Sequence, residues 1–214
     1  RGLGDVYKRQ EKTQNGRIVR RLLIALGSML LCLSIIGVAV YAALQQSVQL
    51  TNTITVTTAG QAKAIVTAYE AQVGGTGAVV TAPTDEPTWG SAILTKAESE
   101  DQKTGALTPI LFSQSEGKNV WAYKITVENK STGAVTVNVT SSTESNTEID
   151  VYAGESMATL SAVANASGVN LQKAGLAADD TATFYIFVVA NTALGDMTAA
   201  TSQPFNIDVT VTAE

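Results

Sequence analysis

In several segments from residue 47 onward, apolar and polar side chains alternate with a period of two. In Ser47–Thr58 the even positions include Val48, Leu50, Ile54 and Val56, whereas the odd positions carry only Ser, Gln or Thr. Successive side chains of a β-strand point to opposite faces of its sheet. The segment is therefore predicted to be a strand with one apolar face and one polar face.

The same alternation recurs in Trp121–Val127, Val135–Val139 and Phe205–Val211. The first two of these segments are separated by the turn-like sequence NKSTG at residues 129–133, so we expect them to pair as a hairpin. The run Phe184–Val189 is apolar on both faces, which predicts a central strand or one covered by lipid or a partner.

Weaker patterns complete the secondary structure. Gln61–Glu70 and Leu107–Phe112 are predicted strands, Ser156–Asn165 is a predicted short helix, and Pro83–Gly90 and Glu98–Gly105 are predicted loops. Strands with one apolar face bury it when two sheets pack face to face. The sequence therefore predicts an all-β domain, namely an antiparallel β-sandwich of jelly-roll type.

An uncharged run of 23 residues, Leu22–Leu44, follows a cluster of arginines and precedes the first predicted strand. This arrangement is typical of a signal peptide, and the run is also long enough for a helix that spans a bilayer. Val40 and Ala42 fit the −3 and −1 positions of a signal peptidase site. The arginines are expected in the cytoplasm and the following domain outside. Cleaved export is the preferred interpretation, and a retained membrane anchor is the alternative.

The first ten residues, RGLGDVYKRQ, fit neither segment. Asp5–Gln10 can be encoded by GAT GTG TAT AAG AGA CAG, which matches the end of a transposase-type sequencing-library adapter, and the upstream adapter bases encode Arg1–Gly4 in the same frame. We interpret residues 1–10 as translated adapter on a gene of metagenomic origin. Residues 11–42 are then the signal peptide or membrane anchor, and residues 43–214 are the exported domain.

Composition narrows the function of the exported domain. Residues 43–214 carry seven Lys, 17 acidic residues and no Arg, so their formal charge is 7 − 17 = −10. This charge argues against a nucleic-acid partner and suits an extracellular surface. The chain has no His, and its single Cys, Cys32, lies in the apolar run, so neither a disulfide nor a Ser-His-Asp triad is expected in the domain.

No catalytic, cofactor-binding or metal-binding residue is therefore predicted, and the protein is not expected to be an enzyme. Acidic neighbours such as Asp179 and Asp180 could supply oxygen ligands to calcium, but a solvated loop is the preferred interpretation. Trp121 lies on an apolar strand face and is predicted to be core. Trp89 lies in the proline-containing loop Pro83–Gly90 and is expected to be more open, where it could stack on a sugar.

Five stretches carry a resemblance to a known family. They are GVAVYAA at the end of the apolar run, NTITV in the first strand, ITVENKSTGAVTV in mid-chain, DTATFYI near the end and the terminal FNIDVTVTAE. Their order resembles the TasA/camelysin family of exported biofilm-matrix proteins from Gram-positive bacteria. The resemblance implies a secreted jelly-roll subunit that polymerises into extracellular fibres, with itself as main partner and with other matrix components and a signal peptidase as further partners.

The resemblance also implies that the N-terminal strand of one subunit completes a sheet of the next. Val48, Leu50, Ile54 and Val56 are then the predicted self-assembly residues, because a one-faced strand beside a cleavage site can add to an open sheet edge. The alternative is that Ser47–Thr58 is an ordinary first strand of its own sandwich. An alternative function is that of a cell-surface adhesin or carbohydrate-binding module. A metal-dependent peptidase, as described for camelysins, is disfavoured because the chain has no His.

Overall fold

A computed structural model describes most of the predicted exported domain. The described residues are 52–74, 83–110, 112, 119–143, 145, 149–164, 167–190 and 205–214. The adapter segment 1–10, the export segment 11–42 and the cleavage positions Val40 and Ala42 lie outside them. A search of the described residues for a helix long and apolar enough to cross a membrane finds none.

Within the described residues the chain forms eleven β-strands and one three-residue 3-10 helix, Met157–Thr159. The strands are β1 Thr53–Ala59, β2 Ala64–Val73, β3 Leu94–Lys96, β4 Gln102–Ala106, β5 Val120–Asn129, β6 Val135–Ser141, β7 Ile149–Gly154, β8 Ser161–Ala162, β9 Asn170–Leu176, β10 Thr181–Ala190 and β11 Asn206–Ala213. The all-β class predicted from the alternating pattern is confirmed.

The strands form two sheets. One has five strands in the order β4-β1-β11-β6-β9, and the other has six in the order β3-β2-β5-β10-β7-β8. Neighbouring strands are antiparallel except β1 and β11, which are parallel. The prediction of a purely antiparallel sandwich is therefore wrong at this pair. Parallel neighbours need a long connection, and here nearly the whole domain lies between the two strands.

The core lies between the two sheets. Alternate side chains from both sheets, such as Ile54, Val66, Ile125, Val137 and Val209, belong to one buried apolar cluster. The two inner faces therefore pack together as the sandwich prediction requires. Trp121 is 5% exposed and belongs to the same cluster, which confirms its predicted place in the core.

Strand β10 is buried on both faces. Ile186 and Val188 face the main core, whereas Tyr185, Phe187 and Val189 belong to a second apolar cluster on the other side of the six-stranded sheet. The strand lies between β5 and β7, so the prediction of a central strand at Phe184–Val189 is confirmed. The second cluster matters for function, because it gives the sheet an apolar outer surface that other parts of the chain must cover.

The predicted hairpin of β5 and β6 is wrong. Strand β5 lies between β2 and β10 in one sheet, and β6 lies between β11 and β9 in the other. Residues 130–134 therefore connect the two sheets. Alternation does not distinguish a hairpin from a connection between sheets, because in both arrangements the apolar side chains point into the core.

Three other element predictions are wrong. In the described part of Leu107–Phe112, Leu107, Ile110 and Phe112 are buried and the two residues between Leu107 and Ile110 are exposed, and the segment forms no strand. The described residues of the predicted helix Ser156–Asn165, up to residue 164, contain only the 3-10 turn Met157–Thr159 and β8. The predicted loop Glu98–Gly105 contains most of β4, which the pattern missed because this edge strand has no buried side chain.

A buried asparagine ties together the turns at one end of the sandwich. Asn129 is fully buried, and its side-chain Nδ2 donates to the carbonyl oxygens of Gly133 and Leu176, each at 2.9 Å. Its Oδ1 accepts from the backbone N–H of Ser131 at 2.8 Å. These bonds join the connection between β5 and β6 to the end of β9. The side chain thus fixes the crossing between the sheets that the hairpin prediction missed.

Replacing Asn129 should cost much of the domain's stability. The change Asn129→Ala leaves the buried Leu176 carbonyl without its donor, so we expect a loss of about 2–4 kcal/mol. Urea unfolding of the two proteins measures it. Asn138→Ala is the matched control, because Asn138 accepts a bond from Gln172 on an exposed face and its loss should stay within about 0.5 kcal/mol. Equal midpoints for both variants would contradict the assignment.

Candidate functional site

The structure places two of the four predicted self-assembly residues in the domain's own core. Ile54 and Val56 are fully buried, and their neighbours in the cluster come from both sheets. Val48 and Leu50 lie outside the described residues. Strand β1 therefore supplies its apolar face to the sandwich of the same chain. This is the arrangement of an ordinary first strand, and a donated strand would have to make the same contacts.

Strand β1 occupies a slot between β4 and β11. Thr55 is aligned with Asp208 of β11 in the parallel ladder and with Thr104 of β4 in the antiparallel ladder. Ile54 and Val56 are aligned with Ile207 and Val209, so apolar side chains of the two strands lie side by side on the core face. The slot thus binds β1 through backbone hydrogen bonds and through contacts with alternate side chains. These are the two features that define strand addition.

Both ends of β1 are fixed by hydrogen bonds. At the start, the N–H of Phe205 donates to Asn52 Oδ1 at 3.1 Å, and the N–H of Thr53 donates to Asn206 Oδ1 at 3.0 Å. At the other end, the N–H of Thr58 donates to the Asp101 carbonyl at 2.8 Å. The asparagine side chains replace ladder bonds where the parallel pair begins. They therefore help to set the register of β1 against β11.

Strand β4, which forms one wall of the slot, is not predicted from the pattern of the sequence. A Cβ added at Gly105 of β4 would lie 3.0 Å from Leu94 Cδ1 and 3.4 Å from Ile54 Cγ2. A larger side chain would push on both sheets at once, so glycine permits the close approach of β4 to the core. The only sequence signal was this glycine inside a polar segment, which resembled a loop.

A second candidate site lies on the outer face of the six-stranded sheet. Three side chains meet there around one carboxylate oxygen, Oε1 of Glu86. Trp89 Nε1 donates to it at 2.7 Å, Lys124 Nζ at 2.7 Å and the Tyr185 hydroxyl at 3.3 Å. We call these residues the Trp89 cluster: Glu86, Trp89, Lys124 and Tyr185.

The sheet register brings the cluster together. Lys124 of β5 and Tyr185 of β10 are directly aligned, and both side chains point away from the core. The loop Pro83–Gly90 lies over them, and the Trp89 ring packs on the Tyr185 ring with centroids 6.3 Å apart. The Lys124 ammonium is 5.7 Å from the Trp89 centroid, within the range of a cation–π contact. Trp89 stands out in the sequence, but Lys124 and Tyr185 are distant from it along the chain, so no local pattern predicts them as its partners.

The charges of the cluster compensate each other. The hydrogen bonds from Lys124 and then Trp89 lower the pKa of Glu86 below its ordinary value of 4.5. The hydrogen bond to Glu86 likewise raises the pKa of Lys124, and burial raises that of Tyr185. Glu86 is therefore an ionised acceptor at neutral pH, and it does not have the raised pKa of a general acid.

The structure adds no candidate for metal binding. Among the described residues, no group of three or more His, Cys, Asp or Glu side chains is placed to hold a metal ion. Of the pair considered for calcium, Asp179 lies 3.1 Å from the Lys130 ammonium in an exposed ion pair. This contact fits the solvated-loop interpretation of that segment.

Comparisons with known proteins give only distant likenesses. No family model and no curated protein matches the chain. Solved structures with similarity include TmCBM61 in complex with β-1,4-galactotriose, at 10% identity and a TM-score of 0.21 over 35% of this chain. Others are a β-glucosidase from Kluyveromyces marxianus in complex with glucose, at 6% identity, a TM-score of 0.28 and 71% of this chain, and a shaft pilin from Lactobacillus rhamnosus GG, at 14%, 0.22 and 77%.

The chain spans 57% of the length of the first of these structures, 15% of the second and 98% of the third. At these TM-scores the likenesses bear on neither the topology nor the function of this chain.

Acid should release Trp89 only below pH 4.5. Because the pKa of Glu86 is lowered in the folded protein, its bonds are present above 4.5 and are lost as the pH falls through the folded-state pKa. We expect constant tryptophan emission from pH 8 to pH 5 and a change below pH 4.5. Trp89→Phe, which leaves the buried Trp121 as reporter, should abolish this change. A midpoint at or above pH 4.5 would contradict the assigned bonds.

Proposed function

We propose that this protein is a secreted structural subunit that assembles into extracellular fibres by donating β1 to another copy of itself. The observation that supports this most is the position of β1. It is the first described strand, it is parallel to the last strand, and it enters the five-stranded sheet between β4 and β11. Within the described residues, the chain joins it to β2 through Gly60–Lys63 alone.

Every contact that β1 makes in its slot is available to β1 of a second copy. Exchange of an identical element keeps the buried residues Ile54 and Val56 in the same surroundings, so it has a low energetic cost. After donation, the slot of each subunit holds β1 of one neighbour, and its own β1 fills the slot of another neighbour. Only a reciprocal exchange between two subunits would close this contact into a dimer. Head-to-tail repetition then gives a filament.

The short connection between β1 and β2 supports an exchange. Gly60 has a φ of 70°, a left-handed conformation that glycine adopts at little cost, and it makes the turn that returns the chain to β2. The turn is held by the Lys63 N–H, which donates to Ser131 Oγ at 2.8 Å. Opening at Gly60 would extend the four-residue connection and let β1 leave its own sheet while β2 stays in place.

The proposal includes the jelly-roll type and the location of the domain. The strand order β1-β11-β6-β9 in one sheet and β2-β10-β7-β8 in the other supports a jelly roll, with β5 inserted between β2 and β10 and with β3 and β4 added at the edges. The acidic exported domain is placed outside the cell, free after cleavage or anchored if the apolar run is retained. Its main partner is itself, and no catalytic role is proposed.

A disulfide between β1 and β11 tests the proposal. Thr55 and Asp208 are aligned, both are turned away from the core, and paired strands are about 4.8 Å apart, which suits a disulfide. Residues 43–214 contain no Cys, so Thr55→Cys/Asp208→Cys makes one defined pair. Oxidation of concentrated protein should give a covalent ladder on a non-reducing gel. Oxidation of dilute monomer should lock β1 in its own slot and prevent fibres in negative-stain micrographs.

The matched control is Thr140→Cys/Asp208→Cys, which joins β6 to β11 within one chain whether or not β1 is donated. This variant should give no ladder and should still form fibres. If the Thr55 variant gives only the intrachain disulfide at every concentration, β1 stays in its own sheet and the strand-donation proposal fails.

A further inference from the structure

The loop Pro83–Gly90 does not fully cover the outer face of the six-stranded sheet. Beside the Trp89 cluster it leaves a groove of about 480 Å³, which is the size of a small-ligand cleft. Its apolar lining includes Val73, Val120 and Phe187. Val73 is 42% exposed, which is unusual for a large apolar side chain in this domain. An apolar surface of this kind with polar groups at its border is typical of a ligand site.

The loop supplies the polar border of the groove. Thr84, Asp85, Glu86 and Thr88 line it, and Asn119, the residue before β5, lines it from the sheet. The threonine hydroxyls can donate to or accept from the hydroxyls of a sugar, and the carboxylates can accept from them. Glu86 belongs to both the groove and the Trp89 cluster, so the indole and the groove are adjacent. A ligand longer than one ring can therefore contact both.

The electrostatics of the site select among ligands. Lys124 and Glu86 are paired at 2.7 Å, so neither contributes a free charge, and Asp85 adds a negative charge to the border. Among the described residues that line the groove there is no Lys or Arg, so an anionic ligand would meet the charge of Asp85 without a compensating cation from them. The partly buried Trp89 ring offers an apolar surface of the kind on which the C–H face of a pyranose ring can stack.

We propose that the Trp89 cluster and the adjacent groove form a binding site for a neutral polysaccharide. The aromatic ring stacks on one sugar unit, and the neighbouring units lie along Val73, with their hydroxyls bonded to the loop. The site lies on the six-stranded sheet, whereas β1 belongs to the five-stranded sheet. Glycan binding therefore does not depend on strand donation, and a fibre built through β1 would display one such site on each subunit.

Native affinity electrophoresis tests the site. The probes are hydroxyethyl cellulose, laminarin and a β-1,4-galactan as neutral polysaccharides, and polygalacturonate as an anionic one. The chain from residue 43 should be retarded by at least one neutral probe and not by polygalacturonate. Trp89→Ala should weaken the retardation at least tenfold. Val73→Asp, which changes an already exposed position and leaves the indole in place, should do the same while its unfolding midpoint stays close to that of the parent.

Lys173→Gln is the control for a change of surface charge, because the ion pair of Lys173 with Glu155 joins exposed side chains outside the cluster and the groove. It should bind as the parent does. The inference is overturned if no neutral probe retards the parent, if only polygalacturonate does, or if both Trp89→Ala and Val73→Asp bind normally. The electrophoresis measures glycan binding and the disulfide experiment measures strand donation. Either proposal can therefore fail while the other stands.

Discussion

The mutual burial of the two sheets is the interaction on which the rest of the structure depends. Each sheet has an apolar inner face made of alternate residues, and neither face can be exposed without a large free-energy cost. Residues 43–214 contain no Cys, so no disulfide within the domain helps to hold the two sheets together. The slot of β1 is formed within this packing, and the register of β5 against β10 places Lys124 and Tyr185 on the opposite face of the sheet, under the loop Pro83–Gly90.

The edge strands of the two sheets have features that oppose pairing with other chains. The six-stranded sheet ends in β3 and β8, which have only three and two residues, and such short edges offer little template for another strand. The five-stranded sheet ends in β4 and β9, which carry Lys103 and Lys173 at positions aligned with the core residues Val56 and Val137. Charged edge residues oppose unspecific pairing. Assembly through an internal slot, as proposed for β1, avoids these protected edges.

The second apolar cluster shows how one sheet can serve both stability and binding. Tyr185 and Phe187 on the outer face are covered in part by Trp89 and by the 3-10 turn Met157–Thr159 with Leu160. The cover is held by the three bonds to Glu86, which place the indole beside the groove. The contacts that protect the sheet from water therefore also orient the groups proposed to bind a polysaccharide.

The sequence by itself determined the class of fold and the strands with strong alternation, because burial of one face imposes a period of two that needs no knowledge of neighbours. It also determined that Trp121 is core and that the domain has no disulfide. The tertiary structure alone decided that β5 and β6 lie in different sheets, that β1 is parallel to β11, and that Lys124 and Tyr185 meet beneath Trp89. Pairing depends on register between segments far apart in the chain, and alternation within one segment carries no information about that register.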